Sequence, residues 1–166
     1  MDIEKLVKKA KRGDKDSFIK LMNFYEKDMF NVSKYMLGGN NESIYDVVQE
    51  TIITAYEKIE NLRNVHAFKS WLIKILINKC KTELSKSNNI TYLNEDIEIR
   101  SKENYFEKVE LLDLIAKLPE EFKTVIVLFY FNDLPYKEIA EILDICEGTV
   151  KSRLFRAKSK LQEIAL

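Results

Sequence analysis

Apolar residues recur every three or four positions along nearly the whole chain, the spacing that lines one face of an α-helix. Ile3, Leu6, Val7 and Ala10 predict a short first helix that ends near Gly13. Asp16 is placed to cap a second helix, whose stripe is Phe18, Leu21, Met22, Tyr25, Met29, Val32 and Met36, halted by Gly38-Gly39-Asn40-Asn41. Ser43 and Asp46 have the spacing of a capping box, opening a third helix with Ile44, Val48, Ile52, Ala55 and Ile59 as its apolar positions. After a polar loop, Asn61–Val65, the residues Phe68, Leu72, Ile75 and Leu76 mark a fourth. Residues 1–86 therefore predict a four-helix bundle.

The pattern lapses over 87–106. SNNITYLNEDIEIRSKENY is polar, carries Glu95, Asp96, Glu98 and Glu103, and shows no helical stripe, so it reads as a flexible acidic linker. Helices resume with Leu111, Leu114, Ile115 and Leu118 before Pro119, then with Phe122, Val125, Ile126 and Phe129. Asn132–Pro135 turns the chain. Ile139, Ala140 and Leu143 mark a short helix, and Val150, Leu154, Ala157 and Leu161 mark the last. The expected fold is all-α: two small helical domains, 1–86 and 107–166, joined by the linker.

Composition narrows the classes of function. Charge is dense yet balanced, 27 Lys and Arg against 27 Asp and Glu. A neutral chain cannot concentrate enough cations to hold DNA tightly by itself. Its basic character is local: residues 149–166 hold five cations and one anion. Cys80 and Cys146 are far apart and unaccompanied by the single His66, so neither a zinc spacing nor a CxxC pair nor a disulfide framework is present. The charged start predicts no signal peptide, and the longest apolar run, Val125–Phe131, is too short for a membrane span. A cytoplasmic protein without metal or cofactor is expected.

The candidate chemistry lies at the end of the chain. Tyr136–Leu143, a tight turn at Asp144–Cys146 and a second helix from about Glu147 to Glu163 form a helix-turn-helix, whose second helix enters the major groove. With Val150, Leu154, Ala157 and Leu161 facing inward, the solvent side presents Gly148, Lys151, Ser152, Phe155 and Arg156. Arg and Lys can read guanine or grip phosphate, Ser can hydrogen-bond either, and Phe can press on a thymine methyl. Gly148 lets the helix start approach the DNA backbone, where the dipole favours phosphate. A basic helix end alone is common, since the dipole also favours late cations.

LPEEFKTVIVLFYFNDLPYKEIAEILDICEGTVKSRLFRAKSKLQE resembles region 4 of the extracytoplasmic-function (ECF) group of sigma-70 family transcription initiation factors. SIYDVVQETIITAYEKI resembles region 2.2, with its D-x-x-Q-E-T signature, and FKSWLIKILINKCKTELSK resembles regions 2.3 to 2.4, with F-x-x-W-L and a downstream Asn. The two resemblances fall in the right order and cover nearly the whole chain. Three departures stand out. Asp144 replaces a usual turn Gly, though Asp tolerates the left-handed backbone required. Cys146 replaces a helix-capping Ser and is expected to cap poorly. Thr82 and Ser85 stand where an acidic and a basic residue are usual.

The resemblance implies a factor that binds core RNA polymerase, through the β′ clamp helices and the β flap, and directs it to promoter DNA. Asp46, Gln49 and Glu50, on one helical face opposite Ile44, Val48 and Ile52, match the core-binding positions. Arg63, Asn64, Val65 and His66 form the loop expected to hold a flipped base of the −10 element, with Lys69, Lys74, Asn78 and Lys81 on the strand. Phe68 and Trp71 belong to the same stretch and read first as core residues, and Trp71 is also kept among the candidates for contact with the −10 DNA. Lys151, Ser152, Phe155 and Arg156 are expected to read the −35 element, with Arg153 and Lys158 on phosphates and Gly148 and Thr149 at the helix start. The linker is implied to thread near the active-site cleft, although a solvated spacer accounts for its composition. An anti-sigma factor, often membrane-embedded, is implied as inhibitor.

Three rivals are separable. An ordinary helix-turn-helix regulator would bind a promoter alone and carry a sheet-containing partner domain, which the helical first 86 residues do not suggest. An enzyme would need a motif that is missing: there is no P-loop, GxGxxG or HExxH, and no spare His to orient a nucleophile. A sigma-shaped interaction protein without promoter activity would fail in run-off transcription.

Overall fold

The computed structural model describes residues 1–39, 41–87 and 105–165. Among them every regular element is helical: α1 (Ile3–Lys11), α2 (Lys15–Leu37), α3 (Asn41–Lys58), α4 (Phe68–Ser87), α5 (Tyr105–Ala116), α6 (Glu120–Ile126), α7 (Tyr136–Leu143) and α8 (Glu147–Ala165). Two short 3-10 turns, Ile59–Asn61 and Val65–Ala67, join α3 to α4, and a π-helical turn, Val127–Phe131, prolongs α6. The all-α expectation holds. The expected linker acids Glu95, Asp96, Glu98 and Glu103 lie outside the described residues. α4 runs through Ser87 and α5 begins at Tyr105, so helix reaches inside both ends of the interval read as linker.

Helices α1–α4 form the first bundle, with α2 packed on α1, α3 and α4. Two starts differ from expectation. Asp14, not Asp16, caps α2: the chain reverses at Gly13 (φ +92°), and Asp14 takes the extended backbone that lets its carboxylate accept from the Ser17 amide at 3.2 Å. α3 begins at Asn41, so Ser43 lies inside the helix and forms no capping box. Its hydroxyl donates to Glu83 Oε1 on α4 at 3.1 Å instead. The buried stripe of α3 is Ile44, Val47, Val48, Thr51 and Ala55, with Ile52 only half-buried. Thr51 is tolerated inside because its hydroxyl donates to the Val47 carbonyl at 2.8 Å.

The second bundle packs α6 and α7 on α8. α7 ends as the helix-turn-helix requires: Asp144 adopts the left-handed conformation (φ 55°, ψ 43°) and its amide donates to the Ala140 carbonyl. The usual Gly is therefore dispensable here, as expected of Asp.

The two bundles share one apolar core. α4 explains why: Leu72, Ile73, Leu76 and Ile77 are all fully buried and together span a broad arc of about 140° around the helix. The stripe expected from the sequence lacked Ile73 and Ile77. α4 is covered by α2 and α3 on one side and by α7 on another, and each such side chain contributes roughly 1.5–3 kcal/mol of burial. α2 also meets the π turn, where Tyr35 and Phe131 stack, and α6, where the Thr124 hydroxyl lies 3.6 Å from Met36 Sδ.

Candidate polymerase and promoter interfaces

Asp46, Gln49 and Glu50 all stand exposed on α3, opposite its buried stripe. The same face carries Ile53 and Tyr56, which are 58% and 49% exposed. Apolar side chains left in water beside a polar triad mark a surface suited to a partner. Sequence periodicity hid them among the helix's other apolar residues, although both fall out of phase with the stripe through Ile44, Val48 and Ala55.

In the loop before α4, Arg63, Asn64 and His66 are exposed. The Asn64 side chain accepts from the His66 amide at 3.0 Å, giving the loop a fixed turn, and Lys11 of α1 donates to the Leu62 carbonyl. His66 Nδ1 lies 3.7 Å from Glu4 of α1, an approach invisible to local sequence patterns. Phe68 is buried, while Trp71 is half-buried with its ring 5.7 Å from that of Phe68. The core expectation thus fits Phe68 fully and Trp71 in part.

The remaining α4 candidates divide. Asn78 and Lys81 face solvent. Lys69 and Lys74 instead reach the second bundle: Lys69 donates to the Asn132 carbonyl at 2.7 Å and lies 3.8 Å from Asp28. Lys74 donates to the Glu141 carbonyl and to Asp144 Oδ1, both at 3.2 Å. Both ammonium groups thus have partners within the chain, and the Lys74 side chain remains 40% exposed.

On α8, Val150, Leu154 and Ala157 are buried and Leu161 is half-buried, as the stripe predicts. Lys151, Ser152, Phe155 and Arg156 share the outer face, and Phe155 is 73% exposed. Two rings that sequence reasoning passed over steer its lysines: Lys151 lies over Tyr136 at 5.5 Å and Lys158 over Tyr130 at 5.3 Å. Tyr130 also holds the Lys158 ammonium in its charged form to higher pH than usual. Arg153 is half-buried and paired with Glu121 of α6 at 3.7 Å, which ties α8 to its own bundle. At the helix start, Thr149 is half-buried. A Cβ at Gly148 would meet only Cys146 Sγ, at 4.0 Å, so folding does not demand glycine there.

Cys146 stands at the start of α8. Its sulfur lies 3.0 Å from Thr149 Oγ1, and its backbone carbonyl accepts from the Thr149 and Val150 amides, so the residue is tied into the first turn of α8. The hydrogen bond with Thr149 is the largest cause holding the thiol below its ordinary pKa.

Residues 21–90 match the family model for sigma-70 region 2, and residues 108–161 match that for sigma-70 region 4. The chain is 34% identical to the ECF RNA polymerase sigma-E factor of Haemophilus influenzae, over 95% of this chain and 92% of that one. It belongs to the ECF group of the sigma-70 family. The RNA polymerase sigma factor SigV of Bacillus subtilis is also 34% identical, over 95% of this chain and 96% of its own. Two solved structures share the fold. CnrH, in complex with the cytosolic domain of CnrY, has a TM-score of 0.78 at 20% identity, covering 98% of this chain and 96% of its own. The Bartonella quintana sigma factor RpoE, in complex with the anti-sigma factor NepR, has a TM-score of 0.78 at 19% identity, covering 89% and 96%. In this sigma factor α3 lies within the segment that matches region 2, and α8 overlaps the segment that matches region 4.

Proposed function

We propose that this ECF sigma factor binds core RNA polymerase through α3, melts the −10 element with α4 and its preceding loop, and reads the −35 element with α8. The observation that carries the reading is the outer face of α8. Lys151, Ser152, Phe155 and Arg156 stand together in solvent, opposite a buried stripe, on the second helix of a helix-turn-helix. An unpaired Phe so exposed has no folding role and suits apolar contact with a thymine methyl. Asp46, Gln49 and Glu50, flanked by Ile53, form the core-binding face. The β′ clamp helices are its partner, and the β flap that of region 4.

The chain's neutral balance supports a subunit that borrows DNA affinity from polymerase. The protein carries out no chemistry of its own in this reading, needs no metal or cofactor, and acts in the cytoplasm. No helix among the described residues is long and apolar enough to cross a membrane. An anti-sigma factor completes the reading. It is supported by the likeness to two folds solved with CnrY and NepR bound.

Run-off transcription with purified core polymerase tests the proposal. A promoter-dependent transcript is expected only when this chain is added. A gel shift by the free chain as strong as that by the reconstituted enzyme would overturn the reading in favour of an autonomous DNA-binding regulator.

A further inference from the structure

Neither family match reaches α1: the two matched segments begin at residues 21 and 108. Residues 1–12 nevertheless hold five cations, Lys5, Lys8, Lys9, Lys11 and Arg12, against Asp2 and Glu4, in a chain of no net charge. The helix dipole favours cations in a last turn, which accounts for Lys8, Lys9 and Lys11. It disfavours Lys5 at the third helical position, where a carboxylate would be at home.

The sides of α1 are used differently. Val7 and Ala10 are buried, where α1 packs on α2. Glu4 and Lys11, two turns apart on a second side, hold the loop before α4. His66 Nδ1 lies 3.7 Å from Glu4, and the Lys11 ammonium donates to the Leu62 carbonyl. Lys5, Lys8, Lys9 and Arg12 follow one another at i, i+3, i+4 and i+7, so they form one exposed stripe within an arc of about 100°. Both acids of the helix are engaged. Asp2 caps the first turn by accepting from the Lys5 amide at 3.0 Å, and Glu4 takes Lys8 at 2.6 Å as well as His66. Lys8 thus marks the edge where the stripe meets the loop. Lys5, Lys9 and Arg12 form no ion pair among the described residues, and Lys9 acts on Asp14 only at longer range.

Uncompensated cations in a row, on a helix tied to a loop that takes an unpaired base, suit a run of phosphates. From Lys5 to Arg12 the stripe rises about 10 Å, the length of about three phosphates along one strand. We propose that α1 is a DNA contact in its own right: Lys5, Lys9 and Arg12 hold backbone phosphates flanking the −10 element, while Glu4 and Lys11 fix the loop beside them. This rests on the assignment of that loop to the −10 element. Such contacts carry no base information, because the phosphate is the same in every sequence. They set where the strand lies as its base enters the loop.

The test titrates reconstituted holoenzyme with fluorescent fork-junction promoter DNA at several salt concentrations. The triple variant Lys5→Gln, Lys9→Gln, Arg12→Gln should reduce the slope of log affinity against log salt by about two to three, alike for different −10 sequences. Lys5→Arg with Lys9→Arg keeps the charges and should keep the slope. Lys20→Gln, Lys27→Gln and Lys117→Gln together remove as many exposed cations elsewhere and should leave it unchanged. One template carries only the upstream duplex beside the element, and another extends the non-template strand downstream. The template that shows the loss tells which side α1 follows. An unchanged slope on both templates would overturn the contact, as would an equal loss in the control. Arg63→Ala separates this contact from the reading beneath it. If Arg63→Ala weakens binding at the −10 element and the triple variant does not, the loop keeps its role and the α1 contact falls. If Arg63→Ala changes nothing while the triple variant lowers the slope, the −10 assignment falls, and with it the place of α1 beside that element.

Discussion

Tyr35 and Phe131 stack with ring centroids 4.2 Å apart and planes inclined by 27°, joining the end of α2 to the turn that follows α6. Burial raises the pKa of the Tyr35 phenol above its ordinary value. Because Phe131 is half-buried, Phe131→Ala should cost about 2 kcal/mol, below the 3–5 typical of a fully buried ring. A double-mutant cycle with Tyr35→Ala, followed by urea unfolding, should return a coupling of about 0.5–1.5 kcal/mol. Additive losses would mean that the stack contributes nothing to holding the bundles together.

The two cysteines should separate cleanly in reactivity. Cys80 is buried, and desolvation pushes its thiol up to about 12. Cys146 is exposed and its thiol is held below the ordinary value. A lowered pKa means that the thiolate of Cys146 is populated at pH values where a free cysteine is still protonated. Alkylation followed by peptide mass analysis should therefore modify one thiol in the native protein, with a pH midpoint below that of free cysteine. Cys80 should react only after denaturation. Equal labelling of both in the native chain would contradict the burial of α4.

The contact of Cys146 Sγ with Thr149 at the start of α8 has a measurable consequence. Cys146→Ala removes the acceptor and should destabilise the protein by about 0.5–1 kcal/mol, whereas Cys146→Ser should match or exceed the natural residue. Thermal unfolding of the three proteins checks the order Ser, Cys, Ala. If alanine unfolds no earlier than cysteine, the sulfur is a bystander.

How much of this was legible from residues alone depended on how many neighbours each helix has. α8 buries one side, so its stripe of Val150, Leu154 and Ala157 emerged directly from spacing, and its outward face followed by subtraction. α4 is covered on more than one side, and periodicity cannot separate two overlapping stripes. Ile73 and Ile77 were missed for that reason. Caps were misplaced by a few residues because Asp14 and Asp16 are both chemically able, and only the backbone reversal at Gly13 chooses between them. The partners of Lys69 and Lys74 lie 63 and 70 residues away, beyond the reach of any local pattern. The motifs carry the family, while the placement of α7 over α4 rests on contacts between residues far apart in the chain.

The exposed triad on α3 makes a prediction independent of DNA. Substituting Gln49 or Glu50 by Ala removes side chains that are exposed, so unfolding should shift by no more than about 0.5 kcal/mol. Affinity for core polymerase should nevertheless fall, and Ile53→Ala should weaken it further by removing an exposed apolar contact. Co-purification with core and a binding titration supply the readout. Undiminished retention of all three variants would place the core-binding face elsewhere.

Phe155 and Lys158 are both exposed on α8 but should fail differently. Phe155 has no neighbour to stabilise, so Phe155→Ala should leave folding intact and relax base preference at one or two pairs of the −35 element, by about 1–3 kcal/mol in total discrimination. Lys158 is anchored over Tyr130 and stays charged to unusually high pH, which suits a fixed phosphate contact. Lys158→Ala should weaken every promoter alike and reduce the salt slope by about one. Tyr130→Leu should reproduce part of that loss, since it frees the lysine without removing its charge. A promoter panel probed by footprinting at several salt concentrations distinguishes the outcomes. If Phe155→Ala weakens all promoters equally while Lys158→Ala changes sequence preference, the reading face of α8 has been drawn on the wrong side of the helix.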